Sequence, residues 1–265
     1  MRRGWLLAVG VGAVLATSPS VWADWNVGDP FKMHYPQLPN PNGWDVNMTY
    51  PNNLADDFRC TETGFINDVH FWGSWKNDIV GQIQAVRLSI HADIPAQPPT
   101  ATNPNGTPSR PGPQLWNTVV PAPLLVVRPW GTGPQGWLDC TPPPTVLPQN
   151  HFQTWQVNIP HIPNPCFQEA GTIYWLDLTV LVAPVTGGLQ PEFGWKSSLQ
   201  HFNDDAVWGR LPDGLDGPAP LDWIELYEPL ITPPLSMDMS FVITPAPGSG
   251  AILAVAGLMI ARRRR

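Results

Sequence analysis

The sequence predicts an all-β fold: a single antiparallel β-sandwich of jelly-roll type with long loops rich in proline and glycine, spanning residues 24–244. Short stretches in which apolar and polar residues alternate recur along this part of the chain. Such alternation places every second side chain on a buried sheet face. Long runs at helical spacing are absent, and the 34 prolines and 23 glycines concentrate between the alternating stretches. Because proline and glycine interrupt strands and form turns, this distribution favours roughly ten strands in one sandwich.

The alternating stretches extend from residue 66 to residue 243. In order they read INDVHFW, QAVRLSIHADI, LWNTVV, PLLVVR, HFQTWQVNI, TIYWLDLTVLV, IELY and MDMSFVI. The second stretch predicts a core face and a solvent face, with Val86, Leu88 and Ile90 on the first and Arg87, Ser89 and His91 on the second. The longest proline-rich connection, residues 95–114, is expected to be an exposed loop, and the alternative is a linker between two domains.

The first 23 residues have the three parts of a secretory signal peptide. Arg2 and Arg3 give a basic start, an apolar centre reads GWLLAVGVGAVLA, and small residues end the segment at Ala23. We expect cleavage between Ala23 and Asp24. This segment predicts export of the chain.

The last 21 residues, 245–265, have the composition of a short membrane segment. An apolar run follows Pro245 and Pro247 and is shorter than the about 20 residues that a spanning helix needs. Four consecutive arginines close the chain: Arg262, Arg263, Arg264 and Arg265. Since arginines resist crossing a bilayer, they are expected to stay on the cytoplasmic side of a short hydrophobic helix. A plain single-pass anchor is the alternative to a sorting signal.

Both ends together resemble the PEP-CTERM family of bacterial surface proteins. The matching residues are Pro245 and Pro247, the apolar run, and the arginine cluster, while Ala246 stands where the family has glutamate. The resemblance implies that an exosortase recognises the tail in the membrane and cuts it. It therefore implies a location at the cell envelope, on the outer surface or in the extracellular matrix.

The part of the chain between the two ends is strongly acidic. Six of the 14 Lys and Arg residues lie in the end segments, which leaves eight bases against 21 acids and a net formal charge of −13. A surface of this charge repels nucleic acids and anionic lipids, and it attracts cations. Nucleic acid is therefore excluded as a partner.

Two segments concentrate carboxylates beside tryptophan: LADDFRCTETGFINDVHFWGSWKND and FGWKSSLQHFNDDAVWG. With HADIP, GTIYWL and FVITP, they resemble a domain of unknown function that recurs in PEP-CTERM surface proteins, which implies an architecture and no activity. The adjacent pairs Asp56 and Asp57, and Asp204 and Asp205, are candidate calcium ligands, because calcium takes six to eight oxygen ligands. The alternative is that these aspartates cap turns.

Tryptophan is abundant, with 14 residues in the chain. Exposed indole rings stack well on sugar rings, and we select Trp72, Trp75, Trp195 and Trp208, which lie near glycine and aspartate, as a candidate polysaccharide platform. The alternative is that the indoles fill the core.

The three cysteines, Cys60, Cys140 and Cys166, allow one disulfide in an exported chain. We expect the pair Cys140 and Cys166, because these two residues flank one predicted strand.

The sequence predicts a structural or adhesive surface protein without catalytic activity, with an extracellular polysaccharide as its candidate ligand. The alternatives are a secreted glycoside hydrolase that uses paired aspartates and a structural protein with no small ligand. Motifs of serine hydrolases, zinc proteases and nucleotide-binding proteins are absent from the sequence.

Overall fold

The computed structural model describes residues 24–245, which form a single all-β domain, as predicted. Its strands are β1 (Trp44–Asn47), β2 (Asn52–Arg59), β3 (Gly64–Phe65), β4 (Asp68–Trp75), β5 (Ile83–Ile94), β6 (Arg110–Pro121), β7 (Val126–Asp139), β8 (Thr145–Ile159), β9 (Phe167–Gln168), β10 (Ile173–Val182), β11 (Phe193–Lys196), β12 (Val207–Arg210), β13 (Ile224–Glu225) and β14 (Phe241–Thr244). Within these residues the only helical elements are two 3-10 turns, Lys76–Asp78 and Ala122–Leu124.

Twelve strands form two six-stranded sheets. Sheet I has the order β11-β1-β7-β8-β4-β14, sheet II has the order β13-β12-β2-β10-β5-β6, and β3 and β9 form a separate ribbon. The pairings are antiparallel apart from that of β1 with β7, which is parallel. The connection over residues 95–109 joins neighbouring strands β5 and β6, so it is a loop within one sheet and not a linker.

Sheet I closes on itself. The second half of β4 pairs with β11 while its first half pairs with β14, so that β1, β7, β8, β4 and β11 form a closed five-strand ring. Glycine permits the closure, since a Cβ atom on Gly73 would lie 2.1 Å from the carbonyl oxygen of Gly194. A Cβ atom on Gly194 would lie 2.8 Å from the Trp137 ring, so both positions need a residue without a side chain.

The main core lies between the two sheets. Val86, Leu88 and Ile90 of β5 point into it and are 0–1% exposed, which confirms the core face predicted for that strand. The largest side chains buried there include Trp195 of β11 and Phe241 of β14, whose ring centroids are 5.9 Å apart. Apolar burial on this scale supplies most of the stability of such a domain.

The prediction that one face of β5 is exposed to solvent is wrong. Arg87, Ser89 and His91 are 0–1% exposed on the outer face of sheet II. Their burial is possible because Asp177 of β10 pairs with both Arg87 and His91. Trp223, from the segment before β13, packs edge-on against His91 and covers this face.

The signal peptide, its cleavage site at Ala23, and the C-terminal segment from Ala246 onwards lie outside the described residues. Within residues 24–245, no helix is long and apolar enough to cross a bilayer.

The disulfide expected between Cys140 and Cys166 is absent, and all three thiols are free. Cys140 lies where β7 gives way to β8, whereas Cys166 follows the far end of β8, where its carbonyl accepts the amide of Ile66. At about 3.3 Å per residue, the 15 residues of β8 separate these ends by far more than the roughly 7 Å that a disulfide permits between Cα atoms. The position of Cys140 and Cys166 at opposite ends of one long strand is therefore evidence against a disulfide between them.

Candidate functional site

The four tryptophans selected as a surface platform are buried, which corrects that interpretation. Trp72 and Trp195 are fully buried, Trp75 is 2% exposed and Trp208 is 5% exposed. They lie on strands of the two sheets, and the Trp195 indole donates to the carbonyl of Ser240 inside the core. The glycines beside them serve close strand contacts and do not mark loops.

Trp75 nevertheless lines part of an open apolar pocket. The pocket has a volume of about 320 Å³ and is lined by Trp75, Val80, Gly81, Gln82, Ile83, Ala122, Leu125, Val127 and Trp155. Trp155 of β8 is half-buried, and Val80 at the mouth is 59% exposed. The exposed side chain of Gln82 adds a polar group beside the two indoles.

The turn after β4 holds the two indoles in place. Trp75 ends β4, and the following residues Asn77 and Asp78 adopt positive φ angles of 55° and 54°. The Asp78 carboxylate accepts the backbone amides of Phe152 and Gln153 in β8, at 2.9 to 3.1 Å. Because this contact joins the turn to β8, the relative position of the two pocket walls is fixed.

The aspartates of the first acidic segment lie within a strand and not in a loop. Asp56 and Asp57 occupy the middle of β2, an internal strand of sheet II, so their side chains point to opposite faces. Adjacent carboxylates on opposite faces cannot flank one glycosidic bond, which a paired-aspartate hydrolase requires.

Asp56 is committed to the protein interior. Its Oδ2 atom accepts the Met239 amide at 2.6 Å and the Gln37 side chain at 3.0 Å, and its Oδ1 accepts the Asp57 amide. Burial, together with the nearby charges of Asp238 and Asp57, raises the pKa of Asp56 well above its usual range. The structure therefore does not present Asp56 to a cation.

Asp57 points to the other face and toward the second acidic segment. Its Oδ2 accepts the side-chain amide of Asn203, whereas its Oδ1 is buried without a hydrogen-bond partner. Burial is the main cause that raises the pKa of Asp57 to about 8. The hydrogen bond from Asn203 lowers this pKa, whereas the charges of Asp238 and Asp204 raise it further. The structure thus brings the two aspartate segments together.

Asp204 and Asp205 lie just before β12, close to a carboxylate that the sequence analysis missed. One oxygen each of Asp204, Asp205 and Glu225 lies within 4.8 Å of the others. The Glu225 carboxylate accepts the Tyr227 hydroxyl at 2.8 Å, and Asp204 accepts the Ser109 amide at 2.6 Å. Glu225 belongs to IELY, which was interpreted only as a strand, and its proximity depends on the pairing of β13 with β12.

A buried polar network on sheet II superficially resembles a hydrolase triad. His91 Nε2 lies 2.6 Å from Asp177 Oδ2 and 3.1 Å from the Ser89 hydroxyl, while His91 Nδ1 faces the carbonyl of Gly112. In a catalytic triad the carboxylate and the hydroxyl contact opposite ring nitrogens. Here both contact the same nitrogen, and all three side chains are buried, so the network joins strands and does not activate the serine.

A second buried network lies inside the five-strand ring. Asp45 Oδ2 contacts His151 at 2.8 Å and Lys196 at 3.0 Å, and the Trp137 indole packs edge-on against His151. Burial lowers the pKa of Lys196 despite the Asp45 charge. All four side chains are fully buried, so they stabilise the ring and are not accessible to a ligand.

The fold and these sites define an all-β domain whose described residues include an open apolar pocket and a cluster of three carboxylates. The chain belongs to the family described as a domain of unknown function, DUF7901, whose family model matches residues 33–244. This agrees with the resemblance of the acidic segments to such a domain. No curated protein and no solved structure matches the chain.

Proposed function

We propose that this chain is an exported PEP-CTERM protein whose β-domain binds a neutral extracellular polysaccharide without cleaving it, in a structural or adhesive role. The two end segments support export and recognition by an exosortase, which would leave the domain on the outer surface or in the matrix. The net charge of −13 between these segments favours a neutral polysaccharide over an anionic one.

The pocket between Trp75 and Trp155 carries the proposal. The half-buried Trp155 indole offers a flat apolar face to the C–H groups of a sugar ring, while the buried Trp75 forms the wall beside it, and a few polar groups at the rim bind the sugar hydroxyls. Gln82 supplies such a group at the mouth. The pocket is open to solvent, so an extended polysaccharide can cross it, unlike the closed polar networks.

Affinity electrophoresis of the full chain in gels that contain neutral polysaccharides tests the proposal. We expect one of them to retard the wild-type protein, and Trp155→Ala to weaken the apparent affinity at least tenfold. Val80→Glu, at an exposed position of the mouth, should have the same effect without disturbing the core. Trp116→Ala is the matched control, since this half-buried indole lies outside the pocket.

Three results would overturn the proposal. They are the absence of retardation by any neutral polysaccharide, equal retardation of the wild type and both pocket variants, and shortening of the polysaccharide during incubation. The last result would favour the hydrolase instead.

A further inference from the structure

We propose that the end of the domain that carries the β3–β9 ribbon lies against the surface of a zwitterionic lipid bilayer, with the exposed rings of Phe65 and Phe167 at the lipid interface. This orientation depends on the proposed function, in which the apolar segment before the four arginines enters the membrane. It adds a second contact with the bilayer, made by the folded domain itself.

Two phenylalanines of the ribbon form an exposed apolar surface. Phe65 of β3 and Phe167 of β9 are cross-strand partners, and they are 51% and 52% exposed. Their ring centroids lie 5.3 Å apart in an edge-to-face arrangement. The adjacent residues Ile66 and Cys166 are buried in the core, and the Ile66 amide donates to the Cys166 carbonyl at 2.8 Å. The core therefore holds both rings on the outer side of the ribbon.

The ribbon lies at the end of the domain where β14 finishes. Thr244, the last residue of β14, pairs with Asp68, the first residue of β4, and Phe65 lies three residues before Asp68. Lys32 connects the two places. Its backbone amide donates to the carbonyl of Ile243 at 2.8 Å, and its buried ammonium donates to the carbonyl of Phe65 at 3.2 Å. The chain therefore leaves β14 beside the exposed phenylalanines.

The length of the connection limits the distance between this end and the membrane. The apolar residues begin at Ala251, six residues after Pro245. A fully extended chain spans at most about 3.6 Å per residue, so this connection reaches at most roughly 22 Å. A domain of this length has a radius of gyration of about 17 Å and hence a diameter of roughly 45 Å. The bilayer thus lies within about half a domain diameter of Thr244, on the side of the ribbon.

The polysaccharide pocket lies at the opposite end of β4. Trp75, which lines the pocket, is the last residue of that strand, whereas Asp68 is the first. Seven steps along a strand at about 3.3 Å each place these residues roughly 23 Å apart. A domain that contacts the bilayer through the ribbon therefore directs the pocket away from the membrane, where an extracellular polysaccharide can reach it.

The charges beside the ribbon favour a zwitterionic bilayer. Glu62 and Glu169 are exposed next to β3 and β9, whereas Lys32 is buried. Anionic headgroups repel exposed carboxylates, and the net charge of −13 between the end segments adds to that repulsion. Phenylalanine rings gain from burial at the boundary of headgroups and acyl chains irrespective of headgroup charge. We therefore expect the ribbon to contact phosphatidylcholine more than phosphatidylglycerol.

Photocrosslinking of the full chain in phosphatidylcholine vesicles tests this contact. The lipid carries a diazirine near its glycerol, and the labelled peptides are identified by mass spectrometry. We expect labels in residues 246–265 and in the peptides that contain Phe65 and Phe167. Leu189 is the internal control, because it is 69% exposed in the loop before β11, at the end of the domain that holds the pocket. Its peptide should be labelled at least fivefold less than the ribbon.

Polar substitutions distinguish the contact made by the ribbon from that made by the apolar segment. Phe65→Asn combined with Phe167→Asn should lower the labelling of the ribbon peptides at least fivefold and leave the labelling of residues 246–265 unchanged. Both positions are half exposed, so the core is not disturbed. Leu189→Asn is the matched control and should change neither. The double variant should also keep the wild-type retardation by polysaccharide, because the pocket lies at the other end.

Four results would overturn the proposal. Labels in residues 246–265 with none in the ribbon would overturn this contact alone and leave the proposed function standing. The absence of labels from residues 246–265 would overturn both the membrane part of that function and this contact. Equal labelling of the ribbon and the Leu189 peptide would show that the labelling is not specific. An unlabelled ribbon, with a smaller species for the double variant in size-exclusion chromatography, would assign the phenylalanines to a second copy of the chain.

Discussion

The substitution Gly73→Ala tests the closure of the five-strand ring. The new methyl carbon would lie 2.1 Å from the carbonyl oxygen of Gly194 and 2.6 Å from the Phe193 ring, whereas ordinary contacts exceed 3.4 Å. The two strands must therefore separate, and the three-residue pairing of β4 with β11 is lost. Two or three backbone hydrogen bonds at about 1 kcal/mol each predict a loss of roughly 3 kcal/mol in the free energy of unfolding.

Urea unfolding of the full chain measures this loss. Gly131→Ala in β7 is the control, because a methyl group there meets no atom within 4 Å. Its free energy of unfolding should stay within about 1 kcal/mol of the wild-type value, since the gain in chain stiffness is small. A Gly73→Ala protein as stable as the Gly131→Ala protein would refute the role of Gly73 in closure.

Three further predictions concern charge and sorting. Raising the pH from 6.5 to 8 should lower the free energy of unfolding by at least about 1 kcal/mol per pH unit, because the pKa of Asp57 is raised to about 8 in the folded chain and the pKa of Asp56 is raised as well, so the folded state binds protons that the unfolded state has lost. Asp57→Asn should reduce this slope, and a stability that rises over the window would contradict the prediction. Asp177→Asn should cost about 3–5 kcal/mol in urea, because Arg87 would keep its charge in a buried position without a carboxylate; a loss below 1 kcal/mol would show that the pair is dispensable. The secreted product should lack Arg262 to Arg265 in mass analysis if an exosortase cuts the tail, and a product that retains them would exclude that processing.

The strands that the sequence predicted well are those with one apolar face. The stretches QAVRLSIHADI and TIYWLDLTVLV match β5 and β10 to within a residue or two at each end. The internal strand β2 was missed because its sequence, NNLADDFR, contains polar residues on both faces. Its aspartates are buried by contacts with residues far along the chain, such as Met239 and Asn203, which no local pattern reveals.

For the candidate sites, too, local sequence patterns predict some residues, and contacts between distant parts of the chain determine the others. The two acidic segments could be identified from their composition, but the proximity of Glu225 to them could not, because only strand pairing brings it near Asp205. Trp155 lies on the strand that HFQTWQVNI predicts, but nothing in that alternation indicates that its side chain lines a pocket. Periodicity identifies a sheet face and carries no information on which gaps between elements remain unfilled.

Strand β1 can pair with its neighbours in sheet I only after much of the chain has been synthesised, because both neighbours, β7 and β11, come much later in the sequence. Asp45 of β1 has as its strand partners Trp137, about 90 residues later, and Lys196, about 150 residues later. Contacts this distant in sequence form late, because the intervening chain must first be made and then ordered. The N-terminal part of the domain therefore stays without its neighbours until most of the chain has been synthesised. The growing polypeptide can close its five-strand ring only once β11 is available, and both sheets still await β12, β13 and β14.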